Sequence, residues 1–228
     1  MPMMHTIPLT ILDNFLDDPD KIRAWALQQE YHPAVDGRWP GLRSKPIHEL
    51  DTPFFHLVCR KFFSQFYDVQ NMEELSWETK MFFQMIPKGY DSGWIHSDEQ
   101  DSQITGIIYL SPNANLNGGT SIYRDKSNIV QPIQINGNFK KDSYLNKISI
   151  QEAKKYKEDH NSQFEETIRV SNVYNRLISF DSHLIHKAQD FFGEGQDSRL
   201  TLIFFVNKLF VNNSPVNRVR RMVSCGNE

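Results

Sequence analysis

His96-Ser97-Asp98 sets an imidazole and a carboxylate two residues apart. In an extended chain the side chains at i and i+2 leave the same face, so both can converge on one ion. Far downstream, His183 and His186 offer a third ligand. Two imidazoles and one carboxylate on one side of an octahedron leave three positions open, which suits the oxygen chemistry of non-heme Fe(II). The same donors also suit catalytic zinc with an open position. A lone His-x-Asp is common by chance, so its surroundings decide what it means.

Those surroundings read as strands. Gly93-Trp94-Ile95-His96-Ser97-Asp98 precedes the β-prone run Ile104-Thr105-Gly106-Ile107-Ile108-Tyr109-Leu110. Asn117-Gly118-Gly119 marks a turn, and Thr120-Ser121-Ile122-Tyr123 resumes the pattern. Leu177-Ile178-Ser179-Phe180 leads through Asp181-Ser182 to the two histidines, and Arg199 to Val206 is a final apolar run. Every candidate ligand therefore sits at a strand end or in a connection between strands. Arg199 opens the last strand, and a guanidinium can meet a carboxylate with two parallel hydrogen bonds. Thr201, two residues on, shares its face.

Three phrases in this order resemble the 2-oxoglutarate/Fe(II)-dependent oxygenases, most closely their prolyl-4-hydroxylase-like branch. They are Ile108-Tyr109-Leu110-Ser111-Pro112, Gly118-Gly119-Thr120-Ser121-Ile122-Tyr123 and Leu177-Ile178-Ser179-Phe180-Asp181-Ser182. The match spans residues 80–207. It implies a double-stranded β-helix, a jelly-roll barrel of mainly β structure, with helices flanking the major sheet. It also implies Fe(II) in the mouth of the barrel, with 2-oxoglutarate as cosubstrate and O2 as oxidant. Oxidative decarboxylation to succinate and CO2 would then drive hydroxylation of a substrate C–H bond.

The family's Asp-Ser-x-Leu-x-His order selects His186 over His183, so the implied iron ligands are His96, Asp98 and His186. Arg199, 13 positions after His186, would hold the distal carboxylate of 2-oxoglutarate. Thr201 would add a hydroxyl contact. Tyr109 stands where members of this branch bond the same carboxylate, and ordinary barrel packing is its other reading. Thr105 shares the strand face of Tyr109. The upstream tyrosines of the family have no counterpart, and Trp94 stands two before His96. The primary substrate is open between a protein side chain such as proline and a small molecule. Two rivals stand beside this reading, a zinc hydrolase on the same donors and a non-catalytic binding barrel. The hydrolase lacks a general-base Glu beside the ligands and gives Arg199 no task; Glu99 would point elsewhere on a continuing strand.

Ahead of the barrel, residues 1–79 read as helical. Asp18-Pro19 is a cap followed by an N1 proline, with Ile22, Trp25, Ala26 and Gln29 on one face and His32-Pro33 as the expected stop. Thr52-Pro53 opens a second helix whose Phe55, Val58, Phe62 and Phe66 form a core stripe. The Arg38-Trp39-Pro40-Gly41-Leu42-Arg43 loop reads as a turn with solvated arginines, or else as a loop over the barrel mouth. Residues 125–167 form a polar insertion holding Lys140-Lys141 and a capping box at Ser149 for a helix over Gln151–Asp159. It is either a surface excursion or a lid, and His160 within it reads as exposed. Residues 208–228 are a tail whose Arg218, Arg220 and Arg221 read as solvated.

The 228 residues suit one domain. With 25 Lys and Arg against 28 Asp and Glu, the net charge of −3 gives no general attraction to nucleic acid. Two cysteines, Cys59 and Cys225, make no disulfide framework and point to a reducing compartment. Neither a signal peptide nor an apolar run long enough for a bilayer is legible, so a soluble, cytoplasmic protein is expected.

Overall fold

The computed structural model describes residues 9–67, 69, 75–90, 92–98, 102–127 and 137–211. Its core is a double-stranded β-helix. The major sheet runs β1 (Thr10–Leu12), β8 (Leu177–Asp181), β5 (Ile104–Tyr109), β10 (Arg199–Val211), β4 (Leu75–Ile86), β3 (Leu42–Arg43) and β2 (His32–Pro33), with antiparallel pairing throughout. The minor sheet places β6 (Thr120–Asp125) between β7 (Phe164–Val170) and β9 (His186–Ala188). The long central strands begin before residue 80 and continue past residue 207.

Alternation along these strands sorts two environments. Leu200, Leu202, Phe204 and Val206 of β10 join Met81 and Phe83 of β4 and Ile104 and Ile108 of β5 in one core beneath the helices. The intervening Arg199, Thr201, Ile203 and Phe205 face the other way, as do Lys80, Phe82, Gln84 and Ile86. A second apolar cluster fills the barrel from Ile107, Tyr109, Ile122, Val170, Ile178 and Phe180.

The helices α1 (Pro19–Leu27) and α3 (Thr52–Phe63) cover the first core. Each starts on an aspartate cap: Asp18 accepts from the Lys21 amide and Asp51 from the Phe54 amide. Trp25 meets Phe83 edge-on at 5.1 Å, and Phe62 meets Phe204 at 5.0 Å. The expected stripe is internal: Phe55, Val58 and Phe62 are buried, with Phe66 packed against them.

Helix α1 stops before the expected His32-Pro33. The amides of Gln28 and Gln29 turn to carbonyls three residues back, and the Gln29 side chain donates to the Trp25 carbonyl. That tightens the last turn and ends the helix. His32-Pro33 instead becomes the edge strand β2, where a proline on the sheet's rim costs no ladder bond. A short helix α2 (Ile47–Leu50) precedes α3. The insertion holds α4 (Gly137–Tyr144) and α5 (Ile150–Asn161), the latter capped by Ser149 on the Glu152 amide.

Gly106 has a packing reason. A methyl there would stand 2.0 Å from the Phe204 ring, itself buried between sheet and helices. Gly106→Ala is expected to cost about 1–3 kcal/mol of stability by overpacking. Urea unfolding checks this, and an unchanged midpoint would mean that the ring moves aside freely.

Candidate functional site

The segment before β5 runs along β9 as an added edge of the minor sheet. Gly93 donates its amide to the Ala188 carbonyl, and His96 and His186 exchange both backbone hydrogen bonds at 3.0 and 2.8 Å. The Asp98 amide then donates to the Ser182 carbonyl. This pairing brings together residues far apart in sequence. Among the described residues, His96, Asp98 and His186 form a cluster of ligand atoms within 4.8 Å of one another.

The hydrogen bonds around the cluster set its chemistry. Nδ1 of His96 lies 2.7 Å from the Trp94 carbonyl, and Nδ1 of His186 lies 2.8 Å from the Leu184 carbonyl. A carbonyl only accepts, so both rings carry their proton on Nδ1 and turn an Nε2 lone pair inward. Those Nε2 atoms face the two oxygens of Asp98, each at 3.4 Å. Lone pairs directed at a carboxylate leave a place that a cation would fill, and the rings' outer bonds are those of metal-ligating histidines. Burial pushes His96 down to about 4, helped by the positive charge of Lys140, so its ring is neutral at physiological pH. Despite its burial, the Asp98 carboxyl stays well below the usual range and remains ionised between the two rings.

Thr105 on β5 donates its hydroxyl to Oδ2 of Asp98 at 2.8 Å and touches Ser182, which in turn meets Ser102. The sequence places Thr105 on the inner strand face but does not reveal its partner. Thr105→Val keeps the shape and removes the orienting bond. The expected result is a loss of about 10- to 100-fold in Mn(II) affinity, the usual effect of removing such a support, read by titration of the folded protein. Unchanged affinity would mean that Asp98 is held by its backbone alone.

Arg199 lies at the other end of the same cleft, 2 % exposed. Its Nε donates to the carbonyl of Gly118, in the turn read from Asn117-Gly118-Gly119. The Tyr109 and Phe191 rings flank its guanidinium at 5.5 and 5.9 Å. Its Nη2 is buried without a hydrogen-bond partner, and no carboxylate pairs with it among the described residues. Burial pulls its pKa down, with Tyr109 working the other way, and a guanidinium stays charged regardless. Register fixes its reach to the cluster. Ile122 pairs with His186 and Thr120 with Ala188, one two-residue step of about 7 Å along the minor sheet. The Thr120 hydroxyl accepts from Tyr109 at 2.8 Å, beside Arg199.

The remaining expected site residues fall in different layers. Thr201 lines the cleft, its hydroxyl 3.5 Å from the Gln84 carbonyl. Tyr109 is fully buried behind the wall, and Thr120 stands on the cleft surface in front of it. His183 lies outside the cluster, its ring 2.9 Å from Asp181.

Two sequence expectations need correction. Arg43 is half-buried, its guanidinium 4.3 Å above the Trp39 ring and near Phe82 and Phe205, because β3 pairs with β4 and carries it into the cleft. Only Arg38 of that loop is exposed, paired with Asp36. His160 is not exposed. Its Nε2 lies 2.7 Å from the Ile95 carbonyl, its ring packs near Trp94 and Phe164, and burial lowers its pKa. Helix α5 thereby props the strand that carries His96, with Asn161 accepting from the Ile95 amide. Lys140, Lys141 and Tyr144 of α4 line the cleft, so the insertion forms part of its wall. Glu99 and the arginines of the tail lie outside the described residues, as does Cys225; Cys59 is a buried free thiol. No described helix is long and apolar enough to cross a membrane.

The cleft encloses about 820 Å³ and reaches from Arg199 past the cluster to the loop at Arg38. Among solved structures, HygX from Streptomyces hygroscopicus, with nickel and 2-oxoglutarate bound, is 10% identical at a TM-score of 0.53. The match covers 92% of this chain and 85% of that one. EvdO2 from Micromonospora carbonacea var. aurantiaca is 12% identical at 0.50, covering 92% and 91%. A Pseudomonas putida prolyl-4-hydroxylase is 13% identical at 0.46, covering 88% and 92%. The chain thus shares the fold of HygX and EvdO2, a double-stranded β-helix. No curated protein matches the chain. One family model, described as a family of unknown function (DUF6445), matches residues 2–206.

Proposed function

The chain belongs to the DUF6445 family, and we propose that it is an Fe(II)- and 2-oxoglutarate-dependent dioxygenase that hydroxylates a C–H bond. One observation carries the reading: Arg199 is a buried cation with an unsatisfied Nη2 and no acidic partner among the described residues, on the wall of the cleft that holds the His96–Asp98–His186 cluster. A buried charge costs several kcal/mol unless an anion meets it, so the site is built to receive a carboxylate.

In this reading His96, Asp98 and His186 hold the iron. When bound, Fe(II) supplies the O2 activation that couples decarboxylation of 2-oxoglutarate to substrate hydroxylation. Arg199 clamps the distal carboxylate of the cosubstrate through Nη2, with Thr201 and Thr120 offering hydroxyls beside it. Tyr109 supports the guanidinium from behind through its ring and its bond to Thr120. Thr105 keeps the Asp98 carboxylate turned toward the cluster, and Gly118 fixes the guanidinium at Nε. HygX, which shares the fold, holds 2-oxoglutarate. A zinc hydrolase gains no support, because Asp98 is the only carboxylate among the described residues lining the cleft, and no general-base carboxylate stands beside it among them.

The test is anaerobic addition of Fe(II) and 2-oxoglutarate, which should raise the weak visible charge-transfer band of a chelated complex. Succinate release follows on admitting O2. A protein that binds the metal but shows neither band nor succinate formation across a peptide and metabolite library would overturn the proposal.

A further inference from the structure

We propose that the outer part of the cleft recognises a small molecule carrying two or more negative charges and a flat apolar part, the primary substrate of the reaction proposed above. Its place in a reaction rests on the oxygenase reading; its binding chemistry does not.

The lining is one-sided in charge. Arg38, Arg43, Lys80, Lys140 and Lys141 join Arg199, while Asp98, a candidate metal ligand, is the only acid among the described lining residues. The whole chain has a net charge of −3, so this concentration of positive charge is local. Low-dielectric walls focus such a field on anions entering the cleft.

Strand register locates these cations relative to the cluster. Phe205 pairs with Lys80 on one side and Thr105 on the other, forming one row across the sheet. Thr105 bonds Asp98, so Lys80 stands in the row at the metal end. Arg199 lies six residues earlier on β10, opposite Ile86. One dianion of 2-oxoglutarate held by Arg199 and a metal leaves the Lys80 end with no assigned anion.

The same end supplies a flat surface. Arg43 lies within 4.3 to 5.5 Å of the Trp39, Phe82 and Phe205 rings, a guanidinium among aromatic faces that can stack on a planar group. Size follows from how the mouth is bounded. The loop before β3 meets α4 so closely that a methyl on Gly37 would stand 2.6 Å from the Lys141 carbonyl. That contact closes one side of the entrance and favours a compact ligand over a threaded chain.

The probe is naphthalene disulfonate, a flat dianion that coordinates metals poorly, compared with its neutral disulfonamide by calorimetry. Both are titrated into the full chain, first metal-free and then loaded with Mn(II) and 2-oxoglutarate. The disulfonate is expected to bind in both states and to weaken with added salt, the disulfonamide to bind at least tenfold more weakly. Lys80→Glu with Lys141→Glu is expected to weaken disulfonate binding tenfold or more in both states. Because Lys80 and Lys141 are exposed, the paired alanine variant provides a milder change in the same direction. Equal binding of the neutral probe, or no effect of the paired lysine variants, would overturn the proposal. A protein that discriminates the probes as expected yet fails to bind 2-oxoglutarate would overturn the oxygenase reading alone and uphold the anion site.

Discussion

Arg199→Ala is expected to weaken 2-oxoglutarate binding by about 30- to 5,000-fold, which corresponds to about 2–5 kcal/mol for removing one side of a charge pair in a partly dry site. The size follows from isolation. Arg199 is buried, its Nη2 has no partner, and no acid among the described residues pairs with it. Metal binding should barely change, since the cluster consists of His96, Asp98 and His186. Arg199→Lys should restore only part of the affinity, because an ammonium keeps the charge but loses both the two-pronged geometry and the Nε bond to Gly118. Calorimetry with a redox-inert divalent metal in place of iron reads all three proteins. Equal affinities for wild type and Arg199→Ala would remove the carboxylate clamp and reopen the hydrolase reading.

The second large effect separates two histidines three residues apart. His186→Ala is expected to reduce Mn(II) affinity by more than the roughly 100-fold upper range seen when only a supporting group is lost, and to abolish the Fe(II)–2-oxoglutarate band. His183→Ala should leave both nearly unchanged. The reason is placement: the inner Nε2 of His186 faces Asp98, whereas the His183 ring turns to Asp181. The opposite result, with His183→Ala losing the band and His186→Ala keeping it, would reassign the third ligand.

Much of this is legible in the order of residues. The caps at Asp18 and Ser149 are local, because a side-chain oxygen and an amide three residues on meet only when a helix starts there. The alternation in β10 and β5 is equally local. A period of two sorts Leu200, Leu202 and Phe204 from Arg199, Thr201 and Ile203 whatever the partner strands are. The same parity puts Lys80 and Phe82 on the inner face opposite Met81 and Phe83, a signal present in the order of residues though not drawn from it. The end of helix α1 is not legible in this way, because the Gln29 side chain competing for the Trp25 carbonyl is invisible to a pattern of apolar spacing.

By itself, then, the sequence determined the strand and helix patterns and the types of donor available, because these depend on periodicity and on neighbours a few residues apart, while the barrel class and the helices on its outer face followed from the family resemblance. Tertiary structure alone decided the pairings between distant segments. The exchange of backbone bonds between His96 and His186, the hydroxyl of Thr105 on Asp98, and the docking of α5 through His160 on Ile95 each join residues whose meeting depends on sheet register. The stacking of Arg43 and the arrival of Lys140 and Lys141 at the cleft depend on where a loop and an insertion come to rest, and local propensity contains no information about that.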